Sequence, residues 1–594
     1  MTESMWHDIV YTDVMQSDGF VVDYAVCTTY SLDMPTLLSI PFMLGTMVDL
    51  TEATMHSPHL VLEAINKSSG KFAVFCNAGC IYVPHANSKI YSLLERSVVQ
   101  IALAAKGAGF VNFHPKVWVI KESNPDTGIQ QIKVVVLSRN LTSSNNLDVV
   151  CELIGTIGRK QASKKAQSKH KPLVDFLSWL TNKSNDRNIR KNIRAICEDI
   201  QCIERFELKD SPFEDYDFFP MGINGYDGKV QCLTENMLEH AAKMVIISPF
   251  IDATTIEQMT SCCPKAKKTL ITRHESLTQE VLSMLNDGVY IPKEVLTDKT
   301  EKDVAVDLHE KVYFIRNYQT YLNHLFLGST NATKNGFDRN VEFLLRLTYA
   351  PSKMSYDKFR AELINDNNDC MFEKVVTIPY EEKPKDDATN ELLLRRAISS
   401  IQKAEITPCD DGYDIDVQCT SKKMPEIPIF LYPLGCEGQE QNLSQSLVFK
   451  RMELSMLTEF YVIGIKDLKR VIKIETVGMP IEERDKAIFR SYINTKGKFI
   501  SYLAFMLTDD VQQYIIESQQ LEKDIADNNK PLTEQEISTS LYEDMVRMAY
   551  NQPERIASIR QIIDKADKAV IPENFAEMYA TFENVIKQIR HYEH

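Results

Sequence analysis

Two strings in the chain share one grammar. The first is His114-Pro115-Lys116, then Ser138-Arg139-Asn140, then Glu152; the second is His309-Glu310-Lys311, then Ser329-Thr330-Asn331, then Glu342. Glu follows Asn by twelve residues in the first string and by eleven in the second. Imidazole titrates near neutrality, so two of them can divide nucleophilic and acid–base work. Two ammonium groups and two amides can hold an anion and offset its charge. A carboxylate such as Glu152 or Glu342 can hold the second ring nitrogen of a His and fix its tautomer. A lone H-x-K triplet is weak, because in a chain with 12 His about one arises by accident. The whole string, found twice in the same order with the His residues 195 apart, is specific.

Such groups must be carried by rigid elements, and the surrounding sequence supplies them twice. Apolar or β-branched runs at 23–32, 71–76, 111–120 and 132–138 predict strands, with helical periodicity around 34–44 and 88–104. The second half repeats the order, with strands at 243–248, 268–271, 306–316 and 323–329 and helices near 254–260 and 277–286. A period of two puts His114, Lys116 and Trp118 on one strand face and Phe113, Val117 and Val119 on the other. Trp118 and Tyr313 take equivalent places and read as core. Alternating strands and helices predict an α/β fold of two homologous sandwich lobes, 1–205 and 206–378. After a linker read at 381–387, strands are expected at 413–419, 427–432, 460–465 and 470–475, then helices from about 482. This makes a C-terminal accessory region, β-rich over 379–480 and helical over 481–594, in which no chemistry is legible.

FHPKVWVI with VVVLSRNLT, and DLHEKVYFI with LFLGSTNATKNGFDRNVEF, make residues 20–375 resemble the phospholipase D superfamily of HKD phosphodiesterases. Leu137 stands where a Gly often precedes the Ser. Lys121 and Arg316 stand where an acidic residue usually follows the Lys by five. The nuclease and tyrosyl-DNA phosphodiesterase branches also lack that acid, so these departures count against a lipase. The pieces TTYSLD, FHPKVW and SRNLT resemble a prokaryotic nuclease-like branch linked to genome defence. The resemblance implies catalytic His114, Lys116, Asn140, His309, Lys311 and Asn331, supported by Ser138, Glu152, Ser329 and Glu342. It favours His114 as nucleophile and His309 as acid, with the reverse left open. Lys and Asn, rather than clustered carboxylates, would clamp the phosphate, so neither metal nor cofactor is required. The expectation is a DNA nuclease working through a phosphohistidine. The alternatives are a phospholipase or transphosphatidylase, and a non-catalytic nucleic-acid-binding scaffold or sensor.

Composition sets limits around this reading. The 594 residues are 44% hydrophobic and 25% charged, with a net charge of −15; that is globular composition, and a uniformly acidic surface repels nucleic acid. One basic stretch, 159–194, holds eleven Lys/Arg against Asp175 and Asp186. Lys164, Lys165, Lys169, Lys171, Arg187, Arg190 and Lys191 are its candidate backbone-tracking residues, and it is expected to flank the cleft. Trp179 within it reads as a packing residue. No run is apolar enough for a membrane span and no secretion signal is legible. The 13 Cys lack metal or disulfide spacing, so free thiols in a cytoplasmic protein are expected. A helicase or ATPase partner for the C-terminal region is an expectation by analogy. Both H-x-K units lie in one chain, so a homodimer is compatible with the chemistry but not required by it.

Overall fold

The computed structural model describes residues 15–45, 58–84, 88–104, 110–143, 146–208, 211–293, 307–364, 371–377, 387–420, 427–507, 542–543, 545–548, 553–573 and 575–592. All but residue 387 of the linker read at 381–387, and the helical pattern over 508–541, lie outside these residues.

Six runs of the first lobe form strands: β1 (Val21–Thr29), β2 (Phe72–Asn77), β3 (Val98–Ile101), β4 (Val117–Ser123), β5 (Gln130–Leu137) and β6 (Val150–Thr156). They lie in the order β3-β2-β1-β4-β5-β6. β1 is parallel to β2 and β2 to β3, whereas β1–β4, β4–β5 and β5–β6 are antiparallel. β5 is buried on both faces over its last seven residues, as its unbroken apolar run requires.

The second lobe contributes β7 (Asp215–Met221), β8 (Ala241–Ile247), β9 (Lys267–Ile271), β10 (Val289–Pro292), β11 (Val312–Asn317), β12 (Asn323–Gly328), β13 (Glu342–Tyr349) and β14 (Phe372–Lys374). Their order is β14-β10-β9-β8-β11-β12-β13-β7. Without the two edge strands this repeats the first sheet strand for strand, as the duplicated sequence pattern predicts.

The inner faces of the two sheets share one core, which includes Val117, Val119, Val134, Val245, Phe314 and Phe343. Helices α1 (Lys164–Thr181) and α2 (Arg187–Ile200) pack into it through Leu173, Phe176, Ile189 and Ile193. Trp118 and Tyr313 point to the opposite, outer faces and are buried there.

Two sequence expectations are corrected. Segment 88–104 is not one helix: it divides into a 3-10 helix, Lys89–Ser97, and β3, because Val98 and Val99 pair in parallel with Val74 and Phe75. His114 and His309 precede the strands β4 and β11 rather than lying within them. Pro115 has no N–H for a ladder, and His114 N instead donates to Val341 O of the other lobe at 2.9 Å.

The C-terminal region is continuous with the first lobe. Leu32–Asp33 and Ile81–Tyr82 join Leu468–Lys473, Phe460–Ile465, Phe430–Pro433 and Gln441–Asn442 in one six-stranded sheet. A buried ion pair, Arg484 Nη1 to Glu95 Oε2 at 2.6 Å, ties the helix Ile481–Tyr492 to the same lobe. Glu95 also accepts from Thr458 Oγ1 and, at 2.6 Å, from Glu459 N.

Candidate active site

The two lobes pair short extended segments where the histidines arrive. Phe113 bridges Val341 in parallel, and Val341 N donates to Asn112 O at 2.9 Å. His114 therefore hangs from the segment leading to Glu342. In the same way, Asp307–Leu308, just before His309, pairs in parallel with Asn146–Leu147, just before Asp148. Each His is thus presented to a carboxylate of the opposite lobe. His114 Nδ1 is 2.9 Å from Glu342 Oε2, and His309 Nδ1 is 3.3 Å from Asp148 Oδ1.

The serines hold those carboxylates. Ser329 Oγ donates to Glu342 Oε2 and accepts from Phe343 N at 2.9 Å. Ser138 Oγ donates to Asp148 Oδ1 and accepts from Val149 N, both at 2.9 Å. Both serines are fully buried, so the hydroxyls fix acids rather than meet solvent. Asn340 Nδ2 adds a third restraint, donating to Glu342 Oε1 at 3.1 Å.

Glu152 does not take the place expected of it. It pairs across the sheet with Val135, and its Oε2 lies 3.7 Å from Lys133 Nζ. Asp148, four residues earlier, stands against His309 because the Ser-to-acid loop is shorter in the first lobe: ten residues separate Ser138 from Asp148, thirteen Ser329 from Glu342.

Lys116 and Lys311 are 1% and 0% exposed. Lys116 Nζ is 3.1 Å from His114 Nε2 and donates to His114 O; Lys311 Nζ is 3.5 Å from His309 Nδ1 and donates to His309 O. Asn140 and Asn331 occupy matching turns. Leu141 N, after Asn140, donates to Thr29 Oγ1 at the end of β1, and Ala332 N, after Asn331, donates to Ser248 Oγ just beyond β8, each at 2.9 Å. Asn331 Oδ1 is buried with no hydrogen-bond partner.

Burial sets the protonation states. Desolvation pushes His114 down to about 4, against the pull of Glu342, with Lys116 and Lys311 adding to the depression. His309 falls to about 3 through burial and the charge of Lys311, with Lys116 adding to it. Lys116 falls to about 7, and Lys311 well below its ordinary value, again mainly through burial. Lys311 acts on His114 and Lys116 acts on His309. The four basic groups therefore share one field, and an arriving anion would relieve all of them. Among the described residues no group of three or more His, Cys, Asp or Glu side chains converges in a metal-binding arrangement.

Several expected residues lie elsewhere. Lys121, where the resemblance leads one to expect an acid, pairs with Asp199 at 2.8 Å, and Arg316 donates to Tyr321 O. Within the basic stretch, two lysines are tied to acids of their own. Lys169 binds Asp215 at 2.7 Å and Asp217 at 3.6 Å, and Lys171 pairs with Asp175. Met221 pairs with Glu342, while Asp215 is six residues back on β7, which is roughly 20 Å away at about 3.3 Å per residue. Lys164 and Lys165 are exposed at the start of the same helix, as are Arg187 and Lys191 on α2; Arg190 donates to Asn185 O at 3.3 Å. Trp179 is a packing residue, its ring 6.0 Å from Phe113 and nearly parallel to it.

Sequence reasoning also missed Tyr30, whose ring centroid is 5.0 Å from that of His114. Its Oη accepts from Arg395 Nη2 at 3.0 Å.

No protein family and no curated protein matches the chain. Solved structures do. A polyphosphate kinase from Porphyromonas gingivalis is 11% identical, over 61% of this chain and 45% of that one, with a TM-score of 0.34. Yeast tyrosyl-DNA phosphodiesterase is 11% identical, over 58% and 85%, with a TM-score of 0.34. Nuc from Salmonella typhimurium, a phospholipase D family member, is 11% identical, over 27% and 99%, with a TM-score of 0.18. This chain spans under half the length of that polyphosphate kinase. Two sheets of matching strand order bring the two H-x-K units to one buried site.

Proposed function

We propose that this chain is a phosphodiesterase that cleaves nucleic acid, DNA in the first instance, through a covalent phosphohistidine. The observation that carries the reading is the reciprocal pairing of each imidazole with a carboxylate of the other lobe, His114 with Glu342 and His309 with Asp148, beside two buried lysines.

Glu342 holds Nδ1 of His114, so Nε2 carries the lone pair. With its pKa at about 4, that imidazole is neutral and nucleophilic near neutral pH. Attack forms an N–P bond and breaks the P–O bond to the leaving group. Lys116, Lys311, Asn140 and Asn331 are the groups available to offset charge on the equatorial oxygens. His309, oriented by Asp148, donates a proton to the leaving oxygen. It then takes a proton from water, which breaks the N–P bond and frees His114. In the free protein His309 is neutral, so its proton must arrive with the substrate anion, whose charge raises the pKa of each group around it. The closer carboxylate contact of His114 supports its assignment as nucleophile.

No helix of the described residues is long and apolar enough to cross a membrane. A role in genome defence is part of the proposal and rests on the resemblance alone. The test is incubation with single- and double-stranded DNA and RNA in EDTA, beside liposomes. Wild type should cut nucleic acid, and His114→Ala and Lys311→Ala should not. Loss of cleavage in EDTA with recovery in Mg²⁺ would contradict the mechanism, and cleavage of liposomes alone would contradict the substrate class.

A further inference from the structure

Beyond β8 the chain turns through Ser248 and Pro249 to Phe250, a large apolar side chain that is 48% exposed. The turn is fixed. Ser248 Oγ donates to Phe250 O at 2.8 Å and accepts from Ala332 N, the residue after Asn331, at 2.9 Å. The Arg273 guanidinium lies 4.8 Å from the Phe250 ring centroid. Arg273 Nε also donates to Leu308 O, just before His309, at 3.0 Å, and its charge is felt by Lys311. An exposed ring backed by a cation is thus anchored to the His309 and the Asn331 segments of the second lobe.

A bare phosphate needs no aromatic surface, and the reacting groups make no use of this ring. Among the described residues the first lobe has a buried Ser31 at the equivalent place, its carbonyl accepting from Thr29 Oγ1 as that of Phe250 does from Ser248 Oγ. There Tyr30 packs against His114 and is locked by Arg395, which also donates to Asn112 Oδ1 at 2.9 Å and to Glu391 Oε1 at 3.1 Å.

We propose that Phe250 and Arg273 form a base-stacking subsite for the nucleotide on the His309 side of the scissile phosphate, and that the preferred substrate is a single strand. This deepens the phosphodiesterase reading above and rests on it. Every base has a π face, so stacking on Phe250 is tolerant of sequence. In a duplex those faces are covered by neighbouring bases, and only an unpaired base reaches the ring. Arg273 adds a cation for the adjoining phosphate.

Binding is read by fluorescence anisotropy of a labelled ten-nucleotide single strand and its duplex, on full-length protein carrying His114→Ala. Adding Phe250→Ala should weaken single-strand binding about ten-fold, and Phe250→Trp should restore it, as stacking on an aromatic side chain demands. Turnover is read as a ratio: kcat/KM for the single strand over kcat/KM for methyl p-nitrophenyl phosphate, a diester with no base. Phe250→Ala and Arg273→Ala, each in otherwise wild-type protein, should lower that ratio about ten-fold. An unmoved ratio, a duplex bound as tightly as the strand, or failure of Trp to rescue would overturn the subsite. If wild type hydrolyses neither diester while strand binding still depends on Phe250, the phosphodiesterase reading fails and the subsite stands.

Discussion

Replacing Asp148 by Asn tests the site where structure and sequence pattern part. The carboxylate is 10% exposed and 3.3 Å from His309 Nδ1, and it accepts from Ser138 Oγ at 2.9 Å. Asn keeps the shape and an acceptor for Ser138 but removes the charge facing the ring. A hydrogen bond to a charged group contributes about 1.5–3 kcal/mol, so its loss slows the step in which His309 is an imidazolium by roughly 10- to 150-fold. That interaction strengthens as charge moves onto the ring, so the loss should appear in kcat and leave KM within about two-fold. Glu152→Gln is the control. Glu152 is 35% exposed, its Oε2 lies 3.7 Å from Lys133 Nζ, and it pairs across the sheet with Val135. Single-turnover cleavage of a fluorescent oligonucleotide in EDTA measures both variants. A loss in Glu152→Gln that equals or exceeds that in Asp148→Asn, or an effect of Asp148→Asn confined to KM, would refute the assignment of Asp148.

Anion binding should take up protons, because the basic groups whose pKa values are depressed in the free site recover theirs beside a bound anion. Lys116 titrates at about 7 when the site is free, so vanadate affinity should fall with rising pH above that point by about ten-fold per unit for each proton taken up; titration calorimetry in buffers of different ionisation enthalpy would show the uptake, and a flat profile from pH 6 to 9 would exclude it. Glu310, between His309 and Lys311, is buried, with Oε2 unpartnered, and is raised to about 7 by desolvation and by Asp148. From its ordinary 4.5 upward the unfolded chain ionises while the folded one stays protonated, so stability falls between about pH 4.5 and 7 by on the order of 3 kcal/mol. Glu310→Gln should remove that fall, and parallel melting-temperature profiles for variant and wild type would contradict it. Arg484→Met should destabilise the protein by about 3–5 kcal/mol in urea unfolding, because it leaves Glu95 buried and uncompensated; an unchanged midpoint would show that the ion pair does not hold the C-terminal region in place.

The duplicated fold was legible because burial on both faces writes a strand as a continuous apolar run, and both lobes carry those runs in one order. The strands β4, β5, β11 and β12 could be read directly for that reason. The 3-10 helix Lys89–Ser97 was not, because its apolar spacing runs into the β-branched pair Val98-Val99 and the two together mimic one long helix. The histidines, lysines, serines and asparagines of the site recur at nearly fixed spacing because short turns hold them. The acids do not, because a loop of variable length separates each from its Ser. Glu152 imitates the spacing of Glu342, whereas Asp148 is three residues too near and a different residue type. A signal existed in Asp148-Val149 set against Glu342-Phe343, where the residue after the acid returns its N–H to the Ser, but it is visible only in three dimensions. Tyr30, Arg273 and Arg395 reach the site through tertiary contacts alone, and no local pattern marks them.

The central claim is that two imidazoles from facing lobes act on one phosphorus atom. It is tested most directly by mixing the protein with methyl p-nitrophenyl phosphate, stopping the reaction in alkali to preserve a phosphoramidate, and mapping the modified residue by mass spectrometry. A methylphosphoryl group on His114, accumulating further in His309→Asn and absent in His114→Ala, is the predicted result. Release of p-nitrophenol at full rate by wild type with no adduct on either histidine at any time would contradict the claim.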